Sequence, residues 1–305
     1  MVKLIKHIIL FSLILIFVGE IVVRTTHAVS DIPQRTIDEF GIQKYIPNQN
    51  GYWVGGDHQW TINKLGWPGI LPKSYDNLIT VIGDSYIENF MNPNDCHQSV
   101  LLKEYLPEFN FLEAARSGVS LIEAMEISKQ TDEKDPLITL IYVNDNDFTE
   151  SIENINNLND ITQINLESGE IDYGKMKSPK FKKILYSWKL LYYFYNRYSS
   201  SLTKGAKKPK LIKRKKTFKK KYVSDLLDHI ISNYSMEKKV LVFHPNTNPE
   251  LIKLCKELEL NIIVLDSNND KTWTFEYDTH WTCYGHKKVS QQVSTHLLNN
   301  YLLNK

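Results

Sequence analysis

A serine, a histidine and an aspartate are the residues of this chain best placed for covalent chemistry. Gly83-Asp84-Ser85 follows the apolar, β-rich run Leu78–Ile82 and precedes the helix-like stretch Tyr86–Phe90. A serine at such a strand-to-helix turn lifts its hydroxyl over the sheet edge, beside the backbone N–H groups of the turn. Serine alone is a weak nucleophile and needs a base within hydrogen-bond reach. Asp278-Thr279-His280 offers one. A carboxylate and an imidazole two residues apart in a loop can sit together, the carboxylate fixing the tautomer and aiming the ring. Two further polar turns carry donors suited to a developing oxyanion: the amide-bearing run Asn144-Asp145-Asn146-Asp147 and the glycine turn Ser117-Gly118-Val119-Ser120. Taken singly, each is also an ordinary turn. A metal site built from Asp278, His280 and His286 matches no usual ligand spacing, and no cofactor is expected.

The elements that would position these residues are readable from periodicity. Short β-rich runs occur at Leu78–Ile82, Phe109–Leu112, Leu137–Val143, Val240–Phe243 and Ile262–Leu265. Between them, Ser120–Lys129, Tyr222–Tyr234 and Pro249–Leu258 carry apolar stripes at helical spacing, and a further helix is expected just after Gly285. Strands alternating with helices predict an α/β fold, a flavodoxin-like, doubly wound, parallel five-stranded sheet, with ligands beyond the carboxyl ends of the strands. Residues 149–221 interrupt this pattern as an insertion. Within it, Ile184–Tyr198 is rich in Tyr, Trp and Phe and is expected to form a helix serving as core or lid.

Four polar turns follow the first, second, third and fifth strands and converge on one edge of such a sheet. That conjunction resembles the SGNH (GDSL-like) hydrolases over roughly Asn77–Tyr301. Gly83-Asp84-Ser85 is similar to the first block of that family, Gly118 to the second, Asn144–Asp147 to the third and Asp278–His280 to the last. The resemblance implies Ser85 as nucleophile, His280 as general base and Asp278 as its orienting partner. It implies an oxyanion hole made by the Ser85 and Gly118 N–H groups and the Asn146 side chain. Asn144 stands where the family usually has glycine, and Asn144 as donor is the alternative register. Tyr277 stands where most members carry the aspartate, and the Asp-x-His-Trp spelling is closer to the branch of alginate-type polysaccharide O-acetylation proteins. The expectation is therefore a serine esterase or O-acyltransferase acting on ester, chiefly O-acetyl, groups of a polysaccharide. The alternative is a non-catalytic carbohydrate-binding or assembly protein on the same fold.

Composition and charge narrow the setting. Of 305 residues, 42% are hydrophobic and 24% charged, which excludes a disordered chain and a multi-span transporter. The net charge of +2 conceals one run, Lys204–Lys221, with 11 basic residues and no acid, leaving 26 basic against 35 acidic groups elsewhere. Nucleic-acid binders spread basic residues over a folded face, so no nucleic-acid partner is expected; the run reads as a solvated linker or a contact to anionic lipid or polymer. Lys3, Lys6 and His7 precede an apolar segment reaching Val23, the pattern of a signal peptide or signal anchor over residues 1–30. Its 16 residues Ile8–Val23 would span roughly 24 Å. This predicts export, with the domain held at the membrane or, if the segment is cleaved, secreted. Residues 31–76 read as an irregular lead-in and 77–305 as the α/β domain. The three cysteines are too few for a disulfide scaffold or a zinc site, and at least one must stay unpaired within the chain.

Overall fold

The computed structural model describes residues 1–205 and 219–302. Most of the basic run Lys204–Lys221 lies outside the described residues. The described chain divides into two units.

The larger unit, Arg35–Gln49, Thr61–Met176 and Phe218–Lys305, is built on five parallel strands. These are β1 (Leu78–Gly83), β2 (Asn110–Ala115), β3 (Ile138–Val143), β4 (Lys239–Phe243) and β5 (Ile262–Val264). They lie in the order β2-β1-β3-β4-β5, the doubly wound arrangement that the alternating pattern predicts. Successive side chains point to opposite faces of a strand. Ile79, Val81, Leu140, Tyr142, Val240 and Val242 accordingly enter one core, and Ile82, Ile141, Val143, Leu241 and Phe243 the other.

The first core is closed by α2 (Gln98–Tyr105) and α7 (Cys283–Leu297) through Leu102, Val289, Val293 and Leu297. The second is closed by α3 (Leu121–Thr131), α5 (Lys220–Asn233) and α6 (Pro249–Glu257) through Ile122, Met125, Leu226, Ile230, Leu251 and Leu254. Two short helices begin where strands end: α1 (Ser85–Glu88) after β1 and α4 (Asp145–Glu150) after β3. The lead-in is more ordered than its composition suggests, since Arg35–Ile37 and Gln43–Tyr45 pair as an antiparallel ladder.

Cys96 and Cys283 form a disulfide, and Cys255 is a buried free thiol on α6. Spacing along the chain hid this pair: the two cysteines are 187 residues apart in sequence, yet the sheet brings their Cα atoms to 5.2 Å.

The smaller unit comprises Met1–Gln34, Asn50–Trp60 and Lys177–Thr217. Its helix Val2–Thr25 is 24 residues long and apolar enough to cross a membrane. At about 1.5 Å per residue it reaches roughly 36 Å, longer than the apolar run alone, because helical backbone continues through Lys3, Lys6 and Arg24. The aromatic segment forms two helices rather than one, Pro179–Ser187 and Lys189–Gly205, broken at the extended residue Trp188. Phe181, Trp188, Phe194, Tyr195 and Tyr198 are exposed, so these aromatics are not part of a core among the described residues.

A cross-link closing a loop of this length limits the unfolded chain by about 5 kcal/mol on the loop-entropy relation. Replacing Cys96 and Cys283 together by serine is expected to lower the unfolding free energy by about 3–5 kcal/mol. Urea denaturation should find the same loss in the reduced native chain.

Candidate active site

The turn after β1 is shaped by what must fit beneath it. Gly83 ends the strand where a Cβ would come within 2.5 Å of Ile87 Cγ1, so only glycine lets α1 fold back so tightly. The Asp84 carboxylate accepts the Tyr86 N–H at 2.9 Å and caps α1, while Asn89 ends it in the left-handed conformation. Ser85 is thereby the first residue of a one-turn helix at the carboxyl end of β1, an interior strand of the sheet. Its Oγ lies 2.8 Å from His280 Nε2. His280 Nδ1 lies 2.5 Å from Asp278 Oδ1, and the same oxygen accepts the His280 backbone N–H at 2.9 Å. That backbone bond first, and the ring second, holds the Asp278 carboxyl below the usual carboxylate range. A carboxylate that accepts from both the N–H and the ring of one histidine fixes that ring in position as well as in tautomer.

The loop bearing His280 is anchored by its successor. Trp281 is buried, and its carbonyl accepts from Asn92 Nδ2 at 2.9 Å. Thr282 then caps α7, accepting the Gly285 N–H at 3.2 Å. A Cβ on Gly285 would collide with the Trp273 carbonyl. The disulfide ties the first residue of α7 to Cys96, just ahead of α2.

The turn after β2 is held by charge. Arg116 is buried in a two-pronged ion pair with Glu123, both bonds 2.7 Å, and also donates to the Ser117 carbonyl at 2.6 Å. Arg35 donates to the same carbonyl at 3.3 Å, and the Ser117 N–H donates to Glu88 of α1 at 2.7 Å. In a planar trans peptide the carbonyl and the following N–H point in opposite directions. The Gly118 N–H is therefore directed away from the two guanidinium groups, with Gly118 at φ +84° in the region that favours glycine.

The turn after β3 is a helix start. Asn144 and Asp147 form a capping box: the Asn144 side-chain oxygen Oδ1 accepts the Asn146 N–H at 2.8 Å, and Asp147 Oδ2 accepts the Asn144 N–H at 2.7 Å. The Asn144 amide also donates to Asp84 Oδ2 at 3.0 Å. Asn146 sits in the first turn of α4 with an exposed side chain. The structure thus brings Ser85, His280 and Asp278 into one hydrogen-bonded chain and places Gly118 and Asn146 in turns at the same sheet edge. It ties Asn144 to the serine turn through Asp84. His286 lies elsewhere, on α7, its Nδ1 accepting from Gln98 at 3.1 Å.

Tyr86 and His244 carry no motif signal in the sequence. Tyr86 packs against His280 at 4.7 Å, His244 at 4.2 Å and Trp281 at 5.1 Å between ring centroids. His244 follows the last residue of β4, a polar residue at a strand's carboxyl end, which is where such sheets carry function. Burial pushes its imidazole down to about 3, so it is a neutral wall of the site. A cleft of about 460 Å³ adjoins, lined in part by Tyr86, His244, Asn246, Asp270, Lys271 and Thr279. Asn144 and Asp147 could have been read as a capping box from their spacing alone.

The sequence matches no family model and no curated protein sequence. Solved structures with a similar chain course include a G-D-S-L family lipolytic protein from Desulfitobacterium hafniense, 9% identical, covering 72% of this chain and 98% of that one at a TM-score of 0.39. The psychrotrophic esterase EstA from Pseudoalteromonas sp. is 12% identical, covering 74% and 100% at 0.40. A family two carbohydrate esterase from Clostridium thermocellum, solved with cellohexaose, is 13% identical, covering 77% and 67% at 0.39. At this distance the likenesses assign no activity, and the chemistry of the site rests on its own geometry.

Burial pushes the Asp84 carboxyl up to about 6, and burial likewise raises that of Asp147, on the other side of Asn144. A carboxyl raised in the folded state binds its proton more tightly there than in the unfolded chain. The stability contributed by Asp84 is therefore fully present below its unfolded value of 3.8 and is lost as pH rises through about 6. Asp84→Asn is expected to flatten the stability profile between about pH 4 and pH 7. Thermal melts across that range check this, and an unchanged slope in the variant would remove Asp84 as its source.

Proposed function

We propose that the chain is a serine esterase or O-acyltransferase of the SGNH type that acts on acylated carbohydrate. The single observation that carries this is the chain Ser85 Oγ–His280 Nε2–Asp278, with contacts of 2.8 and 2.5 Å, at the carboxyl edge of a parallel sheet. His280 takes the Ser85 proton on Nε2 as Oγ attacks the acyl carbonyl. The Nδ1–H donated to Asp278 stabilises the imidazolium that forms. His280 then gives that proton to the departing alkoxide, leaving an acyl-enzyme. Water resolves it in an esterase, a sugar hydroxyl in a transferase, each activated by the same imidazole. The Ser85 and Gly118 N–H groups and the Asn146 amide are the proposed oxyanion donors. The carbohydrate reading is supported by the adjoining cleft, which is lined by the aromatic Tyr86, Trp273 and Trp281 together with the polar Asn246, Asp270, Lys271 and Thr279. The resemblance to polysaccharide O-acetylation proteins points the same way. A non-catalytic module would be favoured by an Asp278–His280 pair turned away from Ser85, and the 2.8 Å contact leaves that alternative without its distinguishing observation.

The proposed setting is extracytoplasmic, with Val2–Thr25 as membrane anchor or signal sequence. The Cys96–Cys283 disulfide supports it, because such bonds persist in oxidising compartments.

Acetate release from p-nitrophenyl acetate and from acetylated glycans, with and without a sugar acceptor, tests the activity and separates hydrolysis from transfer. Ser85→Ala and His280→Ala are each expected to lower turnover by about 10³–10⁶, the double variant being scarcely worse than either. Independent, multiplying losses would overturn the triad.

Asn146→Ala is expected to lower kcat by about 10²–10³ with little change in KM. Asn144→Ala removes a helix cap and the partner of Asp84, so it is expected to cost about 1–2 kcal/mol of stability. A larger kcat loss in Asn144→Ala, with the fold intact, would move the donor role to that residue.

A further inference from the structure

Two helices of the smaller unit turn an apolar, aromatic face to the outside. Phe181 and Ile184 lie on Pro179–Ser187, Trp188 at the joint, and Leu191, Phe194, Tyr195 and Tyr198 on Lys189–Gly205. Each is between 43% and 70% exposed. Leu185 on the same helix pair is buried, so the two helices are seated on the unit by one face and leave the other uncovered. An exposed face of Trp, Tyr, Phe, Ile and Leu of this extent needs an occupant.

Where the pair is attached says which occupant. Glu20, near the end of the apolar helix Val2–Thr25, accepts the backbone N–H groups of Lys189 at 3.1 Å and Leu190 at 2.7 Å, and so caps the second helix. Arg24 reaches the Ser187 carbonyl that ends the first helix at 2.6 Å and pairs with Glu20 at 2.7 Å. Lys189 pairs with Asp31 at 2.7 Å. Gly19 lies where a Cβ would approach the Leu190 side chain at 3.1 Å. Of Val2–Thr25, Val23 is buried and Gly19 and Glu20 are half-buried, whereas residues 1–18 are exposed throughout. The helix pair is therefore fastened at the level where a spanning helix would leave hydrocarbon and enter headgroups. Segment 179–205 contains no Asp or Glu, and Lys180, Lys182 and Lys183 are exposed on its first helix. Aromatic residues with flanking lysines suit the interfacial zone of an anionic leaflet.

We propose that this face is a membrane-interface element: Phe181, Ile184, Trp188, Leu191, Tyr195 and Tyr198 enter the headgroup–acyl boundary of the bilayer that holds Val2–Thr25. The inference rests on the anchor reading above. It adds a second, in-plane attachment, so that the unit lies against the leaflet instead of pivoting on one helix.

The test uses the full chain reconstituted in phosphatidylcholine/phosphatidylglycerol vesicles whose acyl chains carry bromine at a shallow or a deep position. The emission due to Trp188 is taken as the difference between the native chain and Trp188→Phe. It is expected to be blue-shifted, to lose most of its intensity with shallow bromines and less with deep ones, and to resist aqueous iodide. A chain that floats with the vesicles while its Trp188 emission is quenched by iodide and not by bromine would overturn this proposal and leave the anchor standing. A chain that fails to float would overturn the anchor, and the proposal with it. Protection from both quenchers, together with cross-linked dimers that vanish in Trp188→Ser, would assign the face to a second copy of this chain and overturn the lipid assignment.

Discussion

A 2.8 Å hydrogen bond between Ser85 and His280, 195 residues apart, is the constraint on which the rest of the larger unit depends. In the proposed reaction, nucleophile and base must be held to within tenths of an ångström for proton transfer to accompany attack, and neither side chain can hold itself. On one side, Gly83 lets α1 pack directly on the end of β1 and Asp84 caps it. On the other, Trp281 is locked by burial and by Asn92, Thr282 and Gly285 start α7, and the disulfide fixes that start to the segment before α2. The sheet supplies the common reference: both loops leave its carboxyl edge, and parallel strands put all such edges on one side.

Around this bond the site is wired by buried polar groups that are nearly all paired. Arg116 pairs with Glu123, and the same guanidinium, together with that of Arg35, holds the Ser117 carbonyl and so orients the Ser117–Gly118 peptide. Asn144 stands between two buried carboxyls and donates to both, one bond from its backbone and one from its amide. Paired groups of this kind give a unique arrangement, because breaking one partner leaves the other buried without its bond. His244 takes the opposite course: uncharged and enclosed by rings, it shapes the space beside His280 without competing for its proton.

The sheet was legible because its strands are runs of apolar residues bounded by turn residues. Ser85 was legible because it stands at a strand-to-helix turn, and Asp278 with His280 because a carboxylate and an imidazole stand two residues apart in one loop. What stayed hidden is what depends on distance through space. Cys96 and Cys283 looked unrelated along the chain, and only the packing of α7 beside α2 joins them. Asn144 and Asn146 are two residues apart with the same side chain, so their spacing could not say which would be drawn to Asp84; the capping box decides it. The exposure of the aromatic segment was hidden for a similar reason. Its composition is that of a buried helix, and water exposure is a property of what surrounds it.

The disulfide also orders events in time. As the chain is made from its amino end, Cys96 emerges first and its partner 187 residues later, with Cys255 passing in between. The correct bond can close only when nearly the whole domain is present, and the first thiol available to Cys96 is the wrong one. The packing of α6 resolves this competition. Once that helix covers β4, Cys255 is fully enclosed and its thiol is pushed up to about 12, so it no longer forms the thiolate that exchange requires. Cys96 is then left for the cysteine that opens the last helix.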